Sequence, residues 1–106
     1  MNYVHPSQRR RSYAPPEFAK RFGQTLARER LTAGLSQETL ADLAGLHRTA
    51  VGQLERGERV ARVDTLARLC GALCVGPAVL MAGLDWTPPQ IGIGSYEFPD
   101  PHKGPR

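Results

Sequence analysis

The chain has 106 residues, 41% of them hydrophobic and 7% aromatic, with two cysteines and a formal net charge of +4. That length supports one domain, no apolar run approaches the roughly 20 residues of a membrane span, and no secretory signal pattern is present. Membrane-spanning and disulfide-framework classes are therefore excluded, and a soluble cytoplasmic protein is expected.

The placement of the charge says more than its sum. Residues 1–16 carry +3 through Arg9, Arg10 and Arg11, residues 17–86 hold nine basic and eight acidic side chains, and residues 87–106 balance to zero. Pro15-Pro16 and Pro88-Pro89 bracket the leucine-rich middle, which predicts a folded unit over 17–86 with an arm on either side. A unit this small buries only ~60% of the surface its unfolded chain exposes, so a second subunit would add stability.

In chain order, the arm over 1–16 has two readings. It is a solvated tail, or its arginine triplet tracks phosphates or enters an adjacent minor groove. A first helix is predicted over 17–33, with Pro16 just ahead of it, where the missing N–H costs nothing. Phe18, Phe22 and Leu26 recur at i, i+4 and i+8 as its buried stripe.

The stretch 36–57 reads as two short helices, 37–44 and 48–56, around a turn at Gly45-Leu46-His47. Ser36 stands as an N-cap, and Gly45 sits where the chain must reverse with positive φ. Leu40, Leu43 and Ala44 are expected on one face of the first helix, Val51 and Leu54 on one face of the second. Ala41 and Ala44 are small enough to let the helices cross closely. This is a helix-turn-helix, and its second helix presents a polar edge of Arg48, Thr49, Gln53 and Arg56. Arginine and glutamine carry the donors and acceptors that read base edges in the major groove. Gly57 closes this helix, and in the loop that follows Arg59 and Arg62 are either phosphate ligands close to a DNA backbone or ordinary surface charge.

A fourth helix is predicted over 65–74, capped by Asp64 and buried through Leu66, Leu69, Cys70 and Leu73. Cys70 and Cys74 read first as two core thiols and second as a redox-sensing pair. A disulfide at this spacing would be strained. A zinc site lacks ligands, because His5, His47 and His102 are scattered and no CxxC is present. Gly76-Pro77 then breaks the chain ahead of a fifth helix over 77–84. Val79, Leu80, Leu84 and Trp86 offer more apolar surface than that helix needs for itself. They either close the core or form a dimer contact.

Proline and glycine dominate 87–106, yet Ile91, Ile93, Tyr96 and Phe98 are apolar and alternate with other residues, which allows a short strand. This arm is expected to pack on the domain or on a partner protein. No nucleophile–base–acid arrangement, phosphate loop or metal cluster stands out, so neither an enzyme nor a cofactor is expected.

The segment from about 22 to 84 resembles the Xre/Cro-type helix-turn-helix domain of lambda-repressor-like transcriptional regulators. Gly34-Leu35-Ser36-Gln37, Leu40-Ala41, Ala44-Gly45, Val51, Leu54-Glu55, Gly57-Glu58, Thr65-Leu66 and Leu69 carry the likeness. The resemblance implies an ion pair between Arg30 and Glu55 across the first and third helices, and a dimer contact around Val79, Leu80, Leu84 and Trp86. Three positions depart from the pattern. Glu29 stands where similar sequences often have leucine. His47 replaces the usual Ser or Thr cap of the recognition helix, either touching DNA, filling the turn or acting as a pH switch. Gly52 removes a side chain from the recognition helix and costs ~1 kcal/mol of helix propensity.

The expectation is an all-α, five-helix DNA-binding domain with two flexible arms. It is a transcriptional regulator, read as a repressor, that meets double-stranded DNA on the nucleoid as a homodimer. Arg48, Thr49, Gln53 and His47 read bases, while Ser36, Gln37, Arg56, Arg59 and Arg62 hold the backbone with Arg9, Arg10 and Arg11. The alternative is an antitoxin or other interaction module whose 87–106 arm binds a partner protein.

Overall fold

In the computed structural model, which describes residues 14–90, 92 and 94–100, the folded chain begins with α1, Pro16–Thr32. Pro16 sets a helical φ at the first position without forfeiting a bond, and Glu17 and Arg30 complement the helix dipole at opposite ends. Ala19, Phe22 and Leu26 are buried along one face.

Helices α2, Gln37–Ala44, and α3, Arg48–Glu55, follow with the expected turn between them. Ser36 Oγ accepts the Thr39 N–H at 3.0 Å, which satisfies one of the orphan donors of α2. Gly45 adopts φ 68, and the Leu46 N–H returns to the Ala41 carbonyl at 2.8 Å. Leu40, Ala41 and Ala44 are buried, but Leu43, expected beside them, is 59% exposed. At about 100° per residue, Leu40, Ala44 and Ala41 fan across a 100° arc, and Leu43 falls some 60° outside it.

Helix α4 spans Val63–Leu73, starting two residues before the expected position. Its cap residue is Arg62, so Asp64 is not the N-cap but lies in the first turn, where its Oδ1 accepts the Thr65 N–H at 2.9 Å. There it still favours the helix dipole. Leu69, Cys70 and Leu73 are buried. Cys74 is not a second core thiol: it is exposed at the helix end with φ 57, in the left-handed region.

The fifth helix is shorter than expected. α5 is the single turn Pro77–Leu80, after which Gly83 reverses the chain at φ 77. Leu84 thereby returns to the core instead of extending the helix. Two short strands complete the fold, β1 at Asp85–Thr87 and β2 at Ser95–Glu97, paired antiparallel with Trp86 opposite Tyr96. The short strand that the sequence allows near Tyr96 is therefore present, and its partner at the domain edge is an addition to the expected all-α architecture. The ribbon packs through edge-on aromatic contacts, Trp86 to Tyr96 at 5.1 Å, Tyr96 to Phe18 at 5.3 Å and Phe98 to Phe18 at 6.4 Å. The core itself is a helical one, with Leu26, Leu40, Val51, Leu54, Leu69 and Leu80 fully buried. The expectations placed on Arg9, Arg10, Arg11, Ile91, Ile93, His5 and His102 lie outside the described residues.

Candidate nucleic-acid interface

The recognition helix is fixed from behind by backbone contact. A Cβ on Gly23 of α1 would stand 2.3 Å from the Leu54 carbonyl oxygen and 2.5 Å from that of Glu55. Gly57 combines φ 71 with a position where a Cβ would lie 2.8 Å from Lys20 Cα. Glycine at both points lets α1 lie against the end of α3 with almost nothing between them. The Gly57 N–H bonds to Leu54 and the Glu58 N–H to Gln53 at 2.9 Å, which closes α3.

An ion pair sets the angle of the same crossing. Arg30 Nε and Nη2 donate to the two Glu55 carboxylate oxygens at 2.6 and 3.0 Å, with side chains only 13% and 6% exposed. The remaining donors and acceptors are also used. Arg30 Nη1 donates to the Leu35 carbonyl at 2.8 Å, and Gln37 Nε2 donates to Glu55 Oε1 at 3.0 Å. The Glu55 bond raises the Arg30 pKa against the opposing effect of burial. One network thus ties α1, the turn before α2, α2 and α3 together.

On the outer side of this network lies a shallow cleft of about 590 Å³ between the start of α2 and the face of α3. Of the residues expected at a DNA surface, it gathers Ser36, Gln37, Arg48, Thr49 and Arg56, together with Glu38, Gly52 and Arg30. His47, Gln53, Arg59 and Arg62 do not line it. His47, Arg48, Thr49 and Arg56 are exposed, and Gln53 is half-buried. His47 caps α3 after all, its Nδ1 accepting the Thr49 N–H at 3.2 Å. A neutral ring accepting at Nδ1 carries its proton on Nε2 and so keeps one donor.

Gly52 has a local explanation. A Cβ there would sit 2.9 Å from Arg56 Nη1 and 3.6 Å from Gln37 Oε1, so the Arg56 guanidinium occupies the space that a side chain at 52 would take. Arg56 also bonds Glu58, which raises its own pKa and holds the Glu58 carboxyl below the usual carboxylate range. Sequence reading missed Gly23, Glu38 and Glu58. Gly23 sits one residue past Phe22 in a helical stripe, and nothing in the sequence marks the close approach of another backbone.

The residues expected at a dimer contact divide. Leu80 and Leu84 are 0% and 8% exposed and close the core of their own chain, so neither is available to a second subunit. Val79 and Trp86 remain at the surface, 38% and 52% exposed. The one-turn α5 accounts for the split, because Gly83 turns Leu84 inward and leaves Val79 outside.

A helix-turn-helix domain family profile matches residues 21–82. The control protein C.SmaI of Serratia marcescens is 54% identical over 39 residues, covering 37% of this chain and 46% of that protein. The chain thus spans about half the length of that relative. The control protein C.BamHI of Bacillus amyloliquefaciens is 39% identical over 61 residues, covering 57% of this chain and 75% of that one. The crystal structure of the restriction-modification controller protein C.AhdI from Aeromonas hydrophila is similar with a TM-score of 0.58 at 45% identity, over 58% of this chain and 94% of that one. A profile match across more than half of the sequence coincides with the two-helix unit just described, and the chain belongs to the helix-turn-helix family, of the Xre/Cro type.

Proposed function

We propose that this DNA-binding regulator acts as a homodimer on a pseudo-palindromic operator and governs a restriction–modification gene pair. The supporting observation is the exposed edge of α3, where Arg48 and Thr49 stand beside the capped start of α2 in one cleft. An arginine fork there suits guanine O6 and N7, and the α2 N-terminus with Ser36 and Gln37 suits a phosphate. Thr49, Gln53 and His47 are assigned to bases with Arg48, and Arg56, Arg59 and Arg62 to the backbone. The restriction–modification target rests on the names of the similar proteins, which are control or controller proteins of that kind. Such a regulator works in the cytoplasm, on the nucleoid. Tyr96 and Phe98 are engaged with Phe18 of the same chain, so nothing observed favours a partner-protein reading of the C-terminal arm.

The test is to retain genomic fragments on the purified protein at ~0.15 M salt and sequence them, since non-specific binding is weak there. Inverted half-sites ~34 Å apart, upstream of a methyltransferase–endonuclease pair, are expected. Arg48→Ala should cost ~1–3 kcal/mol and relax preference at one base pair, while Arg56→Ala weakens all sequences alike. If the two substitutions affect specific and random DNA equally, the assignment of bases and backbone is wrong.

A further inference from the structure

Three of the arginines on the DNA-facing surface arrive already paired with a carboxylate. Arg48 Nη1 lies 3.8 Å from Glu38 Oε2, Arg56 bonds the Glu58 carboxylate, and Arg62 Nη2 lies 3.1 Å from Asp64 Oδ2. Arg59 is the member of this group without a carboxylate among the described residues. All three pairs are well exposed, so none contributes much to folding. Stability does not explain why three of these four arginines carry their own anion.

We propose that Glu38, Glu58 and Asp64 are specificity-determining residues that serve as internal counter-ions: they compete with phosphate for the arginines, hold down binding to arbitrary DNA and so widen the margin of the operator over it. This rests on the DNA-regulator reading above. A free arginine gains affinity for any duplex because it displaces condensed cations from the phosphates, which is why such binding falls steeply with salt. An arginine that must first leave a carboxylate exchanges one anion for another and gains little. On arbitrary DNA that exchange is all that is available, so binding is weak. On the operator, Arg48 turns its fork to a base edge, where Glu38 can stay beside it, and base contacts supply affinity that phosphates do not. Glu38 therefore suppresses the phosphate-seeking alternative of the base-reading arginine. Glu58 does the same for Arg56, whose guanidinium it holds over Gly52.

The experiment compares the full chain with its Glu38→Gln/Glu58→Gln/Asp64→Asn variant, using a site selected by the wild-type protein and a scrambled duplex across a salt series. Amide side chains keep size and hydrogen bonding, and Asn at 64 retains an acceptor for the first turn of α4. The melting temperature should fall only slightly, by what the Glu38 and Asp64 charges lend to the dipoles of α2 and α4. For scrambled DNA, the salt dependence should steepen by about 0.9 in log–log slope for each arginine released, with affinity at ~0.15 M rising roughly tenfold or more. The selected site should tighten less, so the ratio of the two affinities falls. An unchanged slope, or equal tightening on both duplexes, overturns the proposal. Failure of the wild-type protein to select any site would instead overturn the regulator reading on which it rests.

Discussion

At the residue scale, Cys74 shows how far a local choice departs from what the backbone prefers. It stands at φ 57, the position after a helix where glycine is the usual solution, and its Sγ is exposed. A Cβ in this region costs roughly 1 kcal/mol or more, so Cys74→Gly should stabilise the fold by about that amount in urea unfolding. A midpoint equal to or below that of the wild type would show that the side chain contributes something the strain conceals. Cys70 presents the opposite case. Burial raises its pKa, and the thiol that ionises less is also the one a reagent cannot reach. A thiol reagent near pH 8 should therefore modify one cysteine per folded chain quickly, and the second only in denaturant. The linkage has a definite sign. Between the ordinary thiol pKa and the raised folded value, the unfolded chain binds fewer protons, so Cys70 lowers stability as pH rises through that window.

At the scale of elements, two glycines in contact with α3 make opposite predictions. Gly23→Ala would drive a Cβ into the Leu54 and Glu55 carbonyls, which are backbone and cannot step aside. It should destabilise by ~2 kcal/mol or more and displace the recognition helix, with DNA binding lost even where the fold survives. Gly52→Ala meets the far end of the Arg56 side chain, which can move, and it regains up to ~1 kcal/mol of helix propensity. Thermal unfolding of both variants decides the matter, and equal loss would mean that the crossing is looser than these distances require. The same contrast shows what the sequence made legible. α2 was readable to the residue and α1 and α3 nearly so, because Ser36, Gly45 and Gly57 mark their ends with local chemistry. The cleft was half legible, since Arg48, Thr49 and Gln37 follow from helical spacing. Glu38 and Glu58 became relevant only once their distances to Arg48 and Arg56 were known. The ribbon was the least visible part. Each strand is three residues long, too short to show a period, and Trp86 finds Tyr96 across a Pro- and Gly-rich loop that hides the pairing.

At the scale of the whole molecule, the C-terminal elements serve the protomer first and leave only a small apolar remainder for a partner. Leu80 and Leu84 complete the core, Phe98 packs against it, and the indole of Trp86 lies over Gly94, where a Cβ would come within 2.2 Å of the ring. Half of Trp86 and part of Val79 remain outside, which supports placing the second subunit of the proposed homodimer there. Substituting Trp86 would also unseat the ribbon, whereas Val79 is exposed enough to change alone. Val79→Asp should leave the circular dichroism spectrum intact while sedimentation shows the dimer dissociating. A melting temperature that rises with protein concentration in the wild type should stop doing so in the variant, because association no longer stabilises the folded chain by mass action. Binding to a two-half-site operator should fall with the dimer, and binding to an isolated half-site should not. A Val79→Asp protein that remains dimeric would move the interface to another exposed apolar position, where Val60 and Val63, 50% and 83% exposed after the recognition helix, are the next residues to substitute.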